Sequence, residues 1–248
     1  HLSYSTLNGG TYALMYGSKA TTSAWSTATV DSGTDAIDPR TSLALDSSND
    51  PHISYRLNDG TYSELNYARN TTGSWQMETI FDLADASDLA GIANTVALDS
   101  TGNVRILSQF KDDSADDMIL RHDYGTYTSW SNEEVENFDL LSASYDIIDS
   151  SVAVDSSNNA HTVYTYYDGT NYLLRYRNEG SGWSSPIESI TATGCTDYLY
   201  ATVTTDGTAA HASFICVDAG ACKVYYTERT GGSWATPEPV SYTHLRAH

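Results

Sequence analysis

Basic residues are scarce in this chain of 248 residues, where 12 Lys and Arg stand against 32 Asp and Glu, for a net charge of −20. A field of that sign repels phosphate backbones, so the expectation is no nucleic-acid partner. Long apolar runs are missing as well: hydrophobic residues make up 40% of the chain but come in short runs of at most five. None approaches the roughly 18–20 residues that a membrane-crossing helix needs, so no membrane span is expected. No stretch keeps a 3.6-residue apolar period, which excludes helix as the main element. The first residue is not Met, and no charged-then-apolar leader is present. Either a leader was removed or the chain is a piece of a longer one. Cysteine is sparse too, with three residues at 195, 216 and 222. Cys216 and Cys222 flank "VDAGA", a hairpin turn, so a disulfide between them is plausible if they stand opposite each other; free thiols are the alternative. A disulfide would place the chain in an oxidising compartment.

What is abundant points to loops and strands. There are 23 Asp against 9 Glu, and 19 Tyr; Asp favours turns, Glu favours helices, and Tyr favours strands. The chain also repeats itself. A Trp recurs at 25, 75, 130, 183 and 234, at spacings of 50, 55, 53 and 51 residues. An Asp closes an apolar alternation at 46, 99, 155 and 206, and His1, His52, Arg105, His161 and His211 open the strand after it. "LALDSSNDPHISYR" at 43–56 thus returns as "VAVDSSNNAHTVYT" at 152–165.

Each period holds four short extended runs separated by turn residues, such as "SLALD", "HISYR", "ELNYAR" and "WQMETI". Four antiparallel strands per repeat of about 40–50 residues is the pattern of a β-propeller. The fold expected is therefore all-β, a propeller over 1–240 with repeats at about 1–31, 41–82, 94–137, 150–190 and 200–240. The first repeat begins at a second strand, so that blade lacks its innermost strand, and the intact protein is expected to carry six or seven blades. Residues 241–248, "SYTHLRAH", do not match the repeat and form an atypical tail. The Trp is expected to pack between neighbouring blades.

The string "LALDSSNDPHISYR…LNYAR…GSWQMETI" resembles the BNR-like repeats of bacterial secreted proteins, in the wider sialidase-like group of propellers. The resemblance covers nearly the whole chain to about residue 240. It implies a secreted or cell-surface protein, and a fold that serves hydrolases, lyases, lectins and non-catalytic repeats alike. The Asp-box of sialidases, Ser-x-Asp-x-Gly-x-Thr-Trp, is absent. So is Arg-Ile-Pro, to which Asp38-Pro39-Arg40 is the nearest string.

A catalytic residue is needed once, whereas the repeated His occurs in four of the five units. It is therefore expected to serve the blade by bonding the turn before it. The candidate binding surface is the set of loops between second and third strands and between one blade and the next. Those loops carry Asp35, Asp38, Asp82, Asp85, Asp88, Asp112, Asp113, Asp116, Asp117, Asp146 and Asp149, densest in "KDDSADDM". Tyr12, Tyr62, Tyr172, Tyr198 and Tyr200 are assigned there too, as flat amphipathic surfaces, with Tyr62 and Tyr172 foremost. Flexible carboxylates suit Ca²⁺, the one cofactor the loops suggest. The functional expectation is a non-catalytic extracellular module binding a glycan or a protein. The alternatives are a polysaccharide-active hydrolase or lyase, and a structural subunit of an extracellular assembly.

Overall fold

The computed structural model describes residues 1–58, 61, 63–83, 88–112, 117–139, 147–183, 187–218 and 220–240, with the backbone alone at 117, 139, 147 and 148. The chain packs as two units, His1–Asp139 and Leu140–His248. In the first, blade 1 comprises β1 (Leu2–Asn8), β2 (Thr11–Ser18) and β3 (Ser26–Gly33). Blade 2 comprises β4 (Ala36–Ile37), β5 (Ser42–Leu45), β6 (Pro51–Asn58), β7 (Ser63–Arg69) and β8 (Gln76–Leu83). Blade 3 runs β9 (Leu89–Leu98), β10 (Val104–Asp112), β11 (Asp117–Thr126) and β12 (Ser129–Asp139).

In the second unit, blade 4 is β13 (Ile147–Val154), β14 (Ala160–Tyr167), β15 (Tyr172–Asn178) and β16 (Glu188–Ser189). Blade 5 is β17 (Asp197–Thr205), β18 (Ala210–Asp218), β19 (Ala221–Thr230), β20 (Ser233–Trp234) and β21 (Glu238–Pro239). The pairings are antiparallel between consecutive strands, and helix is limited among the described residues to one turn, Glu179–Ser181. Among the described residues no helix is long and apolar enough to cross a membrane.

The four-stranded repeat is thus present, and blade 1 has no innermost strand among the described residues. Blade 2 departs in one detail: β4 and β5 both pair with β6, because Pro39 has no N–H to donate and splits the inner strand. The tail at 241–248 lies outside the described residues.

The repeated "DSSN" turn has a definite cause. The Asp46 carboxylate accepts the backbone N–H groups of Ser48 and Asp50 at 2.8 Å each, and Asp155 repeats this with Ser157 and Asn159. The turn closes through a left-handed residue, Asn49 (φ 66°) or Asn158 (φ 67°), where Asn is tolerated. Blades 3 and 5 place Gly102 (φ 84°) and Gly207 (φ 95°) in their turns.

The His that follows bonds this turn. His161 Nε2 lies 3.2 Å from Asp155, so the opposite ring nitrogen accepts from the Tyr176 hydroxyl, 2.6 Å away. His52 with Tyr67 and His211 with Tyr226 repeat the bond to tyrosine at 2.5 and 2.7 Å, while their other ring nitrogens face Asp46 and Asp206 at the longer distances of 3.8 and 3.5 Å. Blade 3 substitutes Arg105, paired with Asp99 at 3.5 Å, and His122 takes the register of Tyr67. The repeated His is a blade fixture.

Cores form between blades. One cluster joins Leu14 and Val30 of blade 1 to Ile53, Tyr55 and Ala68 of blade 2, with Trp75 against it. A second joins Leu65 and Tyr67 to Val96, Val104 and Ile106 of blade 3. A third joins Leu174 and Tyr176 of blade 4 to Val203, Ala212 and Phe214 of blade 5. Trp75, Trp130 and Trp234 each meet the Tyr of the preceding blade edge-on, with centroids 5.1–5.3 Å apart. Trp183 is buried and Trp25 is exposed.

The disulfide joins Cys195 to Cys216, not Cys216 to Cys222. In the β18–β19 hairpin Cys216 stands opposite Lys223 and Cys222 opposite Val217, which sends the two sulfurs to opposite faces of the sheet. Cys222 is a free, exposed thiol.

Candidate functional site

Among the described residues the proposed binding loops bring candidate side chains together at two places, one in each unit. The first is the loop end of blade 2. Asp38 follows β4 and its N–H donates to the carbonyl of Arg56 at the end of β6. Its carboxylate accepts the N–H of Arg40 at 2.8 Å and faces the Arg56 guanidinium at 3.5 Å and that of Arg40 at 3.7 Å. Arg56 Nε donates to Ser63 Oγ at 3.0 Å, and Ser63 in turn donates to the carbonyl of Ala90 and accepts its N–H. Burial lowers the pKa of Arg56 while Asp38 opposes the shift. Asp38 therefore anchors an arginine and is not free to ligate a cation.

The second is the loop end of blade 4. Tyr167 and Tyr172 are register partners across the hairpin, half-buried, with ring centroids 4.8 Å apart and planes tilted 40°. Between them, Asp168 Oδ1 accepts the N–H groups of Thr170 and Asn171. The bond from Asn171 and then that from Thr170 lower the Asp168 pKa. Asp197, at the start of β17, accepts the N–H of Tyr172 at 3.1 Å and the Thr196 hydroxyl at 3.1 Å. A carboxylate has about four acceptor sites, so Asp197 keeps capacity for a ligand hydroxyl. Two aromatic faces flanked by two carboxylates can stack on the C–H face of a sugar ring and accept its hydroxyls.

The other candidates are scattered. Asp35 is exposed in the loop after β3, and Asp82 is exposed on β8 opposite Glu64. Asp88 precedes β9, Asp112 ends β10 opposite Asp117, and Asp149 lies on β13 opposite Thr165. Asp85, Asp113, Asp116, Asp146 and Tyr62 lie outside the described residues, as does the side chain of Asp117. Among the described residues no candidate Asp joins two other ligating groups at one point, so the Ca²⁺ expectation gains no geometric support there. Tyr198 is a correction: it is buried, and its hydroxyl accepts the N–H of Ala192 at 2.8 Å, so it ties down the loop before β17. Tyr12 packs against the core between blades 1 and 2, whereas Tyr200 is exposed with φ 52°.

The sequence places Asp168 and Asp197 on the same loop face only as two of its many aspartates, and Arg56 only among the arginines on repeat-equivalent strands; Tyr167 is the residue that sequence reasoning did not name. A signal existed for Arg56: its place, four residues after the repeat His or Arg, holds Gln109, Thr165 and Ile215 in later blades. Tyr167 was legible as the mirror of Tyr172 around the turn "DGTN".

No protein-family profile matches the chain, and no curated protein matches it. Solved structures do. The chain is similar to the alpha-L-arabinanase of Penicillium chrysogenum complexed with arabinobiose, with TM-score 0.61 and 11% identity over 96% of this chain and 81% of that one. It is similar to a Dyadobacter fermentans protein of unknown function, with TM-score 0.60 and 9% identity over 96% and 83%. It is also similar to the alpha-L-arabinofuranosidase of Fusarium graminearum in complex with arabinobiose, with TM-score 0.57 and 13% identity over 94% and 75%. At these identities the likeness shows the fold, a β-propeller. The sialidase-like resemblance is not shown by these structures.

Proposed function

We propose that the chain is an extracellular propeller that engages a polysaccharide at the loop end of blade 4. The observation that carries this is the Tyr167–Tyr172 pair with Asp168 and Asp197 beside it. The fold shared with an arabinanase and an arabinofuranosidase supports a glycan over a protein as the ligand. The Cys195–Cys216 disulfide supports an oxidising, secreted setting. The test is affinity electrophoresis through gels containing arabinan, galactan or an unrelated neutral polysaccharide, with Ca²⁺ and with a chelator. Retardation by at least one is expected, and Tyr172→Ala should weaken it about tenfold, the effect of roughly 1.4 kcal/mol of lost stacking. Free migration in every gel, or retention unchanged by Tyr172→Ala, overturns the assignment.

A second reading, cleavage of the bound polysaccharide, is favoured by the names of the similar structures over a purely non-catalytic module. Glycoside hydrolysis uses two carboxyl groups roughly 5–10 Å apart. Glu64 and Asp82 are register partners on β7 and β8, and directly opposite residues have Cβ atoms about 5 Å apart. Glu64 also accepts from Asn66 at 3.1 Å, which holds its carboxylate in place. Release of reducing ends that is lost in both Glu64→Gln and Asp82→Asn is the expected result. Release insensitive to both would exclude this pair.

A further inference from the structure

We propose that glycan capture at the loop end of blade 4 is redox-gated: the Cys195–Cys216 bridge holds Asp197 in the site, and a dithiol reductant releases it. The gate rests on the glycan-binding reading of that loop end. The site draws on two blades. Tyr167, Asp168 and Tyr172 come from the β14–β15 hairpin of blade 4, whereas Asp197 enters as the first residue of β17 in blade 5. The Tyr172 N–H joins the two halves by donating to Asp197 at 3.1 Å.

Asp197 owes its position to the loop before it. Gly194, at φ 86°, turns the chain into Cys195, whose sulfur is bonded to Cys216 of β18. The other ties run from the Thr196 N–H and hydroxyl to the Val217 carbonyl at 2.8 and 3.0 Å. They lie at an exposed strand end, where local opening needs little free energy. Blades 1–4 hold no cysteine, so blades of this kind close without a bridge. The one bridge in the chain stands two residues from a carboxylate of the site.

The two sulfurs differ in access. Cys216 is fully buried in the core between blades 4 and 5, while Cys195 is half-buried beside the exposed Gly194 and Thr196. Exchange therefore starts at Cys195. One thiolate of the reductant attacks the Cys195 sulfur, the bond to Cys216 breaks, and Cys216 leaves as a thiolate that takes up a proton. The second thiolate of the reductant attacks the mixed disulfide and frees Cys195, which is protonated in turn. The reductant ends as its own disulfide, and two electrons have passed to the chain. The backbone ladders of β17, β18 and β19 do not pass through the sulfurs, so the loop at 190–196 loosens first and Asp197 with it.

The experiment repeats the affinity electrophoresis on the Cys222→Ser chain, in which the exposed thiol cannot exchange with the bridge. The chain is run oxidised, reduced by dithiothreitol, and reoxidised. Reduction should weaken retention about tenfold, the effect of one lost charged hydrogen bond, and reoxidation should restore it. Cys195→Ser combined with Cys216→Ser should match the reduced chain and not respond to the reductant. Asp197→Ala should be retained weakly whether the bridge is closed or open, because the group that the bridge positions is gone. Hydrogen exchange at the Tyr172 amide should accelerate on reduction without any polysaccharide present, since its acceptor moves away. Retention of the oxidised chain that reduction leaves unchanged, or a Tyr172 amide indifferent to reduction, overturns the gate and leaves the binding site standing. Global unfolding on reduction, seen by circular dichroism, would make the bridge a staple of the fold and overturns the gate too. An oxidised chain that no polysaccharide retards overturns the site and the gate together.

Discussion

Trp130 of blade 3 stands edge-on to Tyr67 of blade 2, and its indole N–H donates at 2.9 Å to Glu78 on the same blade as that tyrosine. Glu78 also accepts the N–H of Thr128, a residue held at φ 68°. The contact is thus an edge-on ring contact and a charged hydrogen bond together. Trp130→Ala removes both and should cost about 2–4 kcal/mol, below the largest losses for buried Trp because the side chain is half-exposed. Glu78→Gln keeps acceptors but removes the charge, and should cost roughly 1 kcal/mol. Urea midpoints at constant slope measure both. Equal losses would mean that packing contributes nothing beyond the hydrogen bond.

How much of this was legible follows the range of the interaction. The blade turns were readable because Asp46, its amide donors and Asn49 lie within four residues of one another. The Trp could be given its place between blades because it recurs with the period. The pairing of Cys195 with Cys216 was not readable. It depends on the path of the loop before β17, which Tyr198 fixes from inside the core. The Arg56–Asp38 pair was equally hidden, since β4 exists only because Pro39 interrupts the inner strand. Local chemistry repeats and can be counted; these contacts occur once.

The conserved geometry of the turn, repeated in four blades, can be tested at Gly102 and Asp99. A Cβ at Gly102 meets nothing within 4 Å, but φ is 84°, so Gly102→Ala carries backbone strain alone, about 1 kcal/mol. Asp99 accepts from the backbone of Thr101 and Asn103 and from both their side chains, and pairs with Arg105. Asp99→Ala would leave Arg105 buried without that carboxylate and should cost more, roughly 2–4 kcal/mol. Thermal or urea unfolding gives the order. A larger loss at Gly102 than at Asp99 would contradict the role assigned to the carboxylate.

Stability should fall on acidification in two stages. Burial, and secondarily Arg105, push the pKa of His122 down to about 3, and burial also lowers His52 against the attraction of Asp46. The unfolded chain takes up these protons near pH 6.5, the folded chain only lower. Stability is therefore full above about 6.5 and declines below it, by up to roughly 1.4 kcal/mol per pH unit for each such group. The turn aspartates act later. Burial works against the charge of Asp99 and Asp155, but their hydrogen bonds outweigh it and hold both below the ordinary range. Their contribution is full above about pH 4 and is lost as the pH falls through their lowered values. His122→Leu should reduce the upper stage to the part carried by His52 and leave the lower one. A urea midpoint that does not move between about pH 7 and pH 5 would contradict the neutral, buried state of His122.

The thiol chemistry separates the two possible pairings directly. Cys222 is exposed and unbridged, so a native, unreduced sample should take up one equivalent of alkylating reagent, at Cys222. After reduction in denaturant all three cysteines should label. Were Cys216 bridged to Cys222, the single native label would fall on Cys195, and peptide mass spectrometry tells the two apart. Replacing Cys195 and Cys216 together by Ser opens a loop of sequence separation 21 and should cost about 3 kcal/mol. The loss should concentrate in blade 5, because the bridge ties the loop before β17 to the middle of that sheet. Hydrogen exchange by mass spectrometry should then show faster exchange across β17 and β18, with blades 1–3 unchanged. Uniform acceleration over both units would mean that the bridge holds more than its own blade.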